Sequence, residues 1–167
     1  MGDQSGKARA ALGSGLFLLV APGIVAGLGP WLITNYEPAD PLPALQILGA
    51  CLGVAGVLAL LGSFARFVLE GIGTPAPVAP TQRLVVGGLY RYVRNPMYLA
   101  VGAIIVGQAL VLGRYGLLAY AGAFFAIVAS FVLTYEEPAL EDEYGEEYRA
   151  YKRNVPGWWP RLRPWEP

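Results

Sequence analysis

Histidine is absent from this 167-residue chain, and cysteine occurs only once. Without histidine there is no imidazole base, and His-containing zinc sites and His-ligated haem are excluded. Cys51 lies within an apolar run and has no partner for an intrachain disulfide, so we interpret it as a small buried hydrophobe. Any reaction must therefore use carboxylate, arginine, tyrosine or amide side chains, or the reactivity of a cofactor.

Charge is also scarce. Charged residues make up 14% of the chain and hydrophobic residues 55%, with a mean hydropathy of +0.46, whereas soluble domains are roughly a quarter charged. This composition predicts an integral membrane protein whose main partner is the lipid bilayer. The formal net charge is zero and no metal-ligand spacing is present, so neither nucleic acid nor a metal is a predicted partner.

Four apolar stretches approach the ~20 residues that a membrane-spanning helix needs. The first could be a cleaved signal peptide, since Lys7 and Arg9 precede it, but it is longer than such a segment and no clean cleavage site follows. We therefore predict an all-α membrane protein with four transmembrane helices in a single domain, 1–167. The spans are Ala10 to Ile33, Leu45 to Val68, Met97 to Leu112 and Tyr115 to Tyr135, two in the N-terminal part 10–70 and two in the C-terminal half 71–163.

The third and fourth spans are separated only by residues 113–116, which predicts an antiparallel helical hairpin. Lysine and arginine are missing from the acidic loop 35–43 but frequent near the N-terminus, in the segment 71–96 and in the tail. The positive-inside rule then places both termini and the 71–96 loop in the cytoplasm. We expect a membrane of the prokaryotic inner type.

The sequence after the fourth span predicts an amphipathic cytoplasmic helix that begins near Pro138. Proline is favoured in a first helical turn, and apolar side chains recur at helical spacing. These side chains are Leu140, Tyr144, Tyr148 and Tyr151. The residues that follow predict an anchor at the membrane interface: Trp158, Trp159, Arg161, Arg163 and Trp165.

Asn95 and Pro96 resemble an N-cap and a first helical residue, so the third helix should begin there. A helix start beside Arg91 and Arg94 is a natural seat for an anion. Alternatively, the arginines reach lipid phosphates and Asn95 only caps the helix. The local sequence leaves both interpretations open.

Glu136 and Glu137 end the fourth span, and the hairpin returns them to the membrane face of Asn95. A carboxylate there can accept hydrogen bonds from a ribose diol or an ammonium group. Alternatively, the two acids are only the polar boundary of a span. Because they are adjacent, we expect at most one of them to face inward.

Five segments, taken in order, resemble the C-terminal half of the isoprenylcysteine carboxyl methyltransferase and phospholipid methyltransferase superfamily. These are integral membrane enzymes that use S-adenosylmethionine. The segments are GTPAP at 73–77, LVVGGLYRYVRNPMY at 84–98, EEPAL at 136–140, YGEEYRAYKRNVP at 144–156 and WWPR at 158–161. The resemblance implies methyl transfer to a hydrophobic, lipid-like acceptor, such as an isoprenylcysteine carboxylate or a phospholipid amine, that enters between helices from the bilayer.

The resemblance also implies a cofactor site enclosed by the third and fourth helices, the preceding loop and the C-terminal helix. Tyr98, Arg94 and Glu137 are the candidate catalytic residues, and Tyr98 or Glu137 would assist deprotonation of an amine or a phenol. The implied cofactor contacts are Gln82, Arg83, Leu84, Val85, Tyr90, Asn95, Pro96, Met97, Tyr98 and Glu136.

The chain departs from the superfamily pattern at two positions. Asn95 replaces the histidine of an Arg-His-Pro motif, which removes a titratable group, and Val132 replaces an arginine credited with binding the acceptor carboxylate. Two other functions stay open. An NADPH-dependent membrane reductase would want more basic residues for the phosphates, and a non-catalytic scaffold or transporter subunit would need no site at all.

Overall fold

The computed structural model describes residues 20–71 and 84–166. These residues form helices and connections, with no strand among them, which confirms the predicted all-α class for the part described. A 3-10 turn, Gly88–Arg91, precedes the third helix. The helices are α1 (Val20–Thr34), α2 (Pro43–Gly71), α3 (Pro96–Leu112), α4 (Gly116–Tyr144) and α5 (Glu146–Asn154).

Two of these helices are long and apolar enough to cross a bilayer, namely α2 over Pro43–Arg66 and α4 over Gly116–Tyr144. The apolar helices α1 and α3 are shorter within the described residues. The 17 residues of α3 give a length of about 26 Å, a little less than the hydrocarbon core. Of the four predicted spans, two therefore correspond to helices that are long enough to cross a bilayer. The start of the first predicted span lies outside the described residues.

Glycines let α2 and α3 pack with their backbones in close approach. A Cβ atom on Gly56 would lie 2.8 Å from the carbonyl oxygen of Ala100, and one on Gly107 would lie 2.7 Å from that of Gly49. Small residues serve this purpose in membranes, where lipid supplies no hydrophobic drive between helices.

Helix α1 contains a wide turn of π type over Ile24–Leu28. Three consecutive carbonyl oxygens of this turn each accept a hydrogen bond from a side chain of another element. The bonds run from Tyr120 Oη to the Val25 oxygen (2.9 Å), from Gln108 Nε2 to the Ala26 oxygen (2.8 Å) and from Tyr36 Oη to the Gly27 oxygen (2.7 Å). These bonds connect α1 to α3, to α4 and to the loop that follows α1.

The predicted hairpin is present, because α3 ends at Leu112 and α4 begins at Gly116 beside it. Gly113 makes the connection possible with a φ of 65°, in the left-handed region that glycine adopts without strain. The side chain of Leu117 is fully buried where the two helices meet.

The C-terminal part differs from the prediction in two respects. First, α4 does not end near Tyr135 but continues through a π-type turn, Val132–Glu136, directly before Pro138. Proline has no amide hydrogen, and the wide turn before it accommodates this loss inside a helix. Second, the single amphipathic helix predicted from Pro138 is interrupted at Gly145, where φ is 53° and ψ is −123°, so only α5 is a separate helix.

Cys51 is exposed on α2, so its interpretation as a buried hydrophobe was wrong. Helix periodicity places it on the outer face of α2, whereas Gly49 and Gly56 of that helix face α3. In a membrane-spanning helix, apolar side chains are equally suited to the lipid face and to the interior.

Candidate functional site

The first turn of α3 and the end of α4 meet at one end of the helix bundle. Tyr98 Oη donates a hydrogen bond to Glu136 Oε1 at 2.5 Å. Tyr98 lies one turn after Asn95, so the structure brings together the two segments that the sequence analysis expected to share a membrane face. Both Tyr98 and Glu136 are half-buried.

Residues 155–166, which we name the C-terminal strap, run back over the start of α3. The strap is fixed by backbone hydrogen bonds in both directions. Two amides of the segment 91–95 donate to strap carbonyls, and two strap amides donate to carbonyls of that segment. The bonds are Arg94 N to Pro156 O (2.9 Å), Asn95 N to Gly157 O (3.2 Å), Arg161 N to Tyr92 O (3.0 Å) and Trp165 N to Arg91 O (2.9 Å).

Asn95 stands immediately before α3, as predicted, with Pro96 in the first turn, but its side chain does not cap the helix. The Asn95 Nδ2 atom instead donates to the carbonyl oxygen of Gly157 at 3.1 Å. The strap therefore explains the difference, because it brings an acceptor to Asn95. Sequence reasoning missed this contact since it joins positions 62 residues apart.

The two arginines before α3 both bind groups of the protein itself. Arg91 donates from Nε to the Trp165 carbonyl (2.7 Å) and pairs with Glu166 (2.9 Å). Arg94 donates to Glu137 Oε1 (2.8 Å) and to the Tyr148 hydroxyl (3.1 Å). Among the described residues the buried Nε of Arg94 has no partner.

Glu137 is 8% exposed and bridges two elements. Its Oε1 atom accepts from Arg94, and its Oε2 atom lies 2.8 Å from Lys152 of α5, which also pairs with Glu141 at 2.8 Å. These carboxylates raise the pKa of Lys152, chiefly through its hydrogen bond to Glu137. Since Glu136 also reaches another helix, the expectation that at most one of the adjacent acids faces inward was wrong. Adjacent helical residues are ~100° apart, and both lie on the side covered by α3 and α5.

Tyrosines close the site towards α5. Tyr151 Oη donates to the carbonyl oxygen of Tyr90 at 2.7 Å. Burial raises the pKa of the Tyr90 phenol and of the Tyr151 phenol, so both stay neutral. The nearby carboxylate of Glu136 raises the pKa of the Tyr90 phenol further.

The other predicted cofactor contacts are dispersed. Val85 is buried, Leu84 packs against the cluster of Tyr148, Tyr151 and Val155, and Pro96 and Met97 adjoin the α3 core. Gln82 and Arg83 lie outside the described residues, as does the GTPAP segment. Of the predicted set, the structure brings together Tyr90, Asn95, Tyr98 and Glu136 at the end of the bundle beneath the strap.

Two aromatic side chains that the sequence analysis did not assign to the site stand beside it. The ring of Trp158 lies 6.3 Å from that of Tyr98, and the ring of Phe125 lies 6.4 Å from that of Trp158, measured between centroids. Trp158 was predicted to anchor the tail in the membrane interface, but it packs inward, whereas Trp159 is 81% exposed. The WWPR segment was the only sequence signal for Trp158.

Comparisons with known proteins bear on the same residues. The family model described as phospholipid methyltransferase matches residues 44–147, which include the start of α3 and both glutamates. An uncharacterized protein of Haemophilus influenzae is 38% identical over 64 residues, which are 37% of this chain and 98% of that protein. The family match covers more than half of the chain. The chain belongs to the phospholipid methyltransferase family.

Proposed function

We propose that this protein transfers a methyl group from S-adenosylmethionine to a hydrophobic, lipid-like acceptor at the cytoplasmic face of the membrane. Membership of the family supports the reaction class. The single observation that carries the assignment of the site is the hydrogen bond between Tyr98 and Glu136. It joins the two chain segments that the resemblance implicates, beside the C-terminal strap.

The side chains present fit such a donor. Glu136 has a second carboxylate oxygen for the ribose diol of the cofactor, and the unpartnered Nε of Arg94 is a buried donor suited to the carboxylate of its methionine part. Tyr90, Asn95 and Met97, with Tyr98, would complete the contacts, and Gln82, Arg83, Leu84, Val85 and Pro96 would contribute from the flanking loop. When bound, the cofactor supplies a sulfonium methyl group that is already electrophilic.

The protein's part is then to position the acceptor and to receive its proton. Tyr98 donates to Glu136, so its phenolic oxygen is free to accept a hydrogen bond from a neutral nucleophile. As the nucleophile takes up the methyl group, Tyr98 takes its proton and passes its own to Glu136. The products are the methylated acceptor, the thioether of the spent cofactor and a protonated Glu136.

We assign Glu137 to positioning, and Arg94 to positioning as well as to the cofactor carboxylate, which revises their place among the candidate catalytic residues. Both Glu137 oxygens are occupied, one by Arg94 and the other by Lys152. Neither oxygen is therefore directed at a bound acceptor. The pair instead ties the start of α3 to α4 and α5, which keeps Tyr98 opposite Glu136.

Titration calorimetry of the purified protein with S-adenosylhomocysteine and with NADPH tests the proposal. We expect saturable binding of S-adenosylhomocysteine, weakened by Glu136→Gln and unchanged by Glu143→Gln, which alters an exposed acid of the same helix. Saturable binding of NADPH alone would replace the proposal by the reductase alternative. Binding of neither ligand would favour a scaffold.

A further inference from the structure

Helices α3 and α4 are unevenly packed. They join tightly at the hairpin, where Leu117 and Ala121 are buried. Beyond Ala121 no residue of α4 is buried until Val132, over almost three turns of helix. Helix α3 packs much more extensively on α2 than on α4, so α3 covers α4 only loosely between the hairpin and the site.

Aromatic rings occupy this loosely packed region between α3 and α4. The ring of Phe125 fills the space opposite Gly102, because a Cβ atom there would lie closer to the ring than any contact permits. Phe125 packs edge to face against Trp158, with 84° between the ring planes, and the ring of Trp158 packs against that of Tyr98 at an angle of 32°. A series of rings thus leads from the lipid-facing surface between α3 and α4 to the carboxylate of Glu136.

These rings are half-buried rather than enclosed. The backbone next to Trp158 is fixed, since the carbonyls of Pro156 and Gly157 accept bonds from the start of α3. Trp158 can therefore change place only by rotation of its side chain. Outside it, Trp159 is 81% and Leu162 is 99% exposed, so the strap presents apolar groups to the same surface.

No charged residue lies between Pro96 and Leu112 in α3 or between Gly116 and Tyr135 in α4. Only an apolar group is accommodated here without the cost of burying an unpaired charge or dipole. We infer that Phe125 and Trp158 form the wall of a site for the hydrocarbon chain of the acceptor, whose nucleophilic end lies at Tyr98 and Glu136. This inference rests on the proposed function and names the residues that limit the bulk of the chain.

Quenching of tryptophan fluorescence by brominated lipid tests the wall directly. Trp31→Phe, Trp159→Phe and Trp165→Phe together leave Trp158 as the only fluorescent indole. This protein is placed in vesicles of phosphatidylcholine whose acyl chains are brominated near their middle, and compared with unbrominated vesicles. Phe125→Ala should raise the quenching of Trp158 about twofold, because an apolar cavity opened beside the ring admits an apolar chain rather than water.

Two controls separate this effect from general contact with lipid. Phe131→Ala removes an exposed aromatic ring from the same helix and should leave the quenching of Trp158 unchanged. In a protein that retains only Trp159, Phe125→Ala should have no effect. Equal quenching of Trp158 with and without Phe125 would overturn the inference.

Failure of this inference can be distinguished from failure of the proposed function. Each variant is also titrated with S-adenosylhomocysteine, and its helix content is compared with that of the parent protein. Retained binding of S-adenosylhomocysteine with unchanged quenching removes only the chain site. Increased quenching without binding of S-adenosylhomocysteine would contradict the proposed methyl donor. The hydrocarbon chain in the site could then not be assigned to a methyl acceptor.

Discussion

At the scale of single residues, the adjacent acids Glu136 and Glu137 have different surroundings. Glu136 binds a neutral phenol, whereas Glu137 is held between two cations. The π-type turn that ends at Glu136 changes the direction of the side chains just before Pro138. One acid is therefore available to a ligand while its neighbour fixes the framework.

Tyr98→Phe removes the hydroxyl that connects the acceptor to Glu136. We expect turnover to fall about 100-fold or more, the usual contribution of a positioned proton-transfer group. The affinity for S-adenosylhomocysteine should fall much less, because the aromatic ring of Tyr98 is retained. Incorporation of labelled methyl groups into membrane lipids measures the effect. Tyr135→Phe, at an exposed tyrosine, is the matched control, and undiminished turnover in Tyr98→Phe would exclude the proton-transfer role.

Glu137→Gln leaves Arg94 and Lys152 without their shared carboxylate. Breaking a buried ion pair from one side typically costs ~3 kcal/mol of folding free energy. We expect a lower thermal unfolding midpoint than in the parent, and a smaller change in Glu143→Gln. Should Glu137→Gln unfold at the parent temperature yet lose turnover, Glu137 would have to be returned to the catalytic residues.

At the scale of elements, the helices could be predicted and their interruptions could not. The predicted second and third spans agree with α2 and α3 within a few residues, because long apolar runs and the Asn-Pro pair mark those helices. The π-type turn of α1 is held by contacts with other helices, from Gln108 and Tyr120, whereas the one in α4 accommodates Pro138. The path of the strap depends on backbone bonds to residues some 60 to 75 positions earlier, for which single-sequence patterns carry no signal.

Substitutions in α2 test the close approach of α2 and α3. Gly56→Ala places a methyl group 2.8 Å from the Ala100 carbonyl, whereas Gly62→Ala meets nothing within 4 Å. Overpacking of this kind costs about 1–3 kcal/mol, while an open position gains up to ~1 kcal/mol from helix propensity. Thermal unfolding in detergent should therefore rank Gly62→Ala above the parent and Gly56→Ala below it. The reverse order would mean that the helices are farther apart.

At the scale of the whole molecule, buried phenols link stability to pH. Burial raises the pKa values of Tyr90 and Tyr151 above the ordinary value of 10.0. Their contribution is complete below pH 10 and is lost as the pH rises further, because the unfolded chain ionises first. Thermal unfolding should show constant stability near pH 8 and a decline above pH 10.

Tyr151→Phe identifies one source of that decline. At pH 8 the variant should be less stable by ~1 kcal/mol, since it lacks the hydrogen bond to the Tyr90 carbonyl. The difference in stability between parent and variant should narrow above pH 10, because only the parent then loses stability by keeping the Tyr151 phenol neutral in the folded state. Tyr115→Phe, at an exposed tyrosine, serves as control, and a constant difference at both pH values would refute the linkage.

The proposed orientation can be tested by cysteine labelling in a Cys51→Ala protein. Glu143→Cys marks the end of α4, and Tyr115→Cys marks the hairpin connection; both positions are exposed. We expect a membrane-impermeant maleimide to label Tyr115→Cys in intact cells and Glu143→Cys only in inverted vesicles. Labelling of both from one side would exclude a membrane crossing between them.

The three side chains bound to successive carbonyls of α1 have a consequence for assembly. Apolar helix surfaces do not fix the rotation or the depth of a helix in a bilayer, because lipid and neighbouring protein are equally favourable surroundings for them. Directional bonds from Gln108 and Tyr120 are satisfied at only one rotation and one height of α1, and the bond from Tyr36 fixes the loop that follows it. A chain without these bonds would still form its apolar helices, but no directional contact would fix the place of α1 beside α3 and α4.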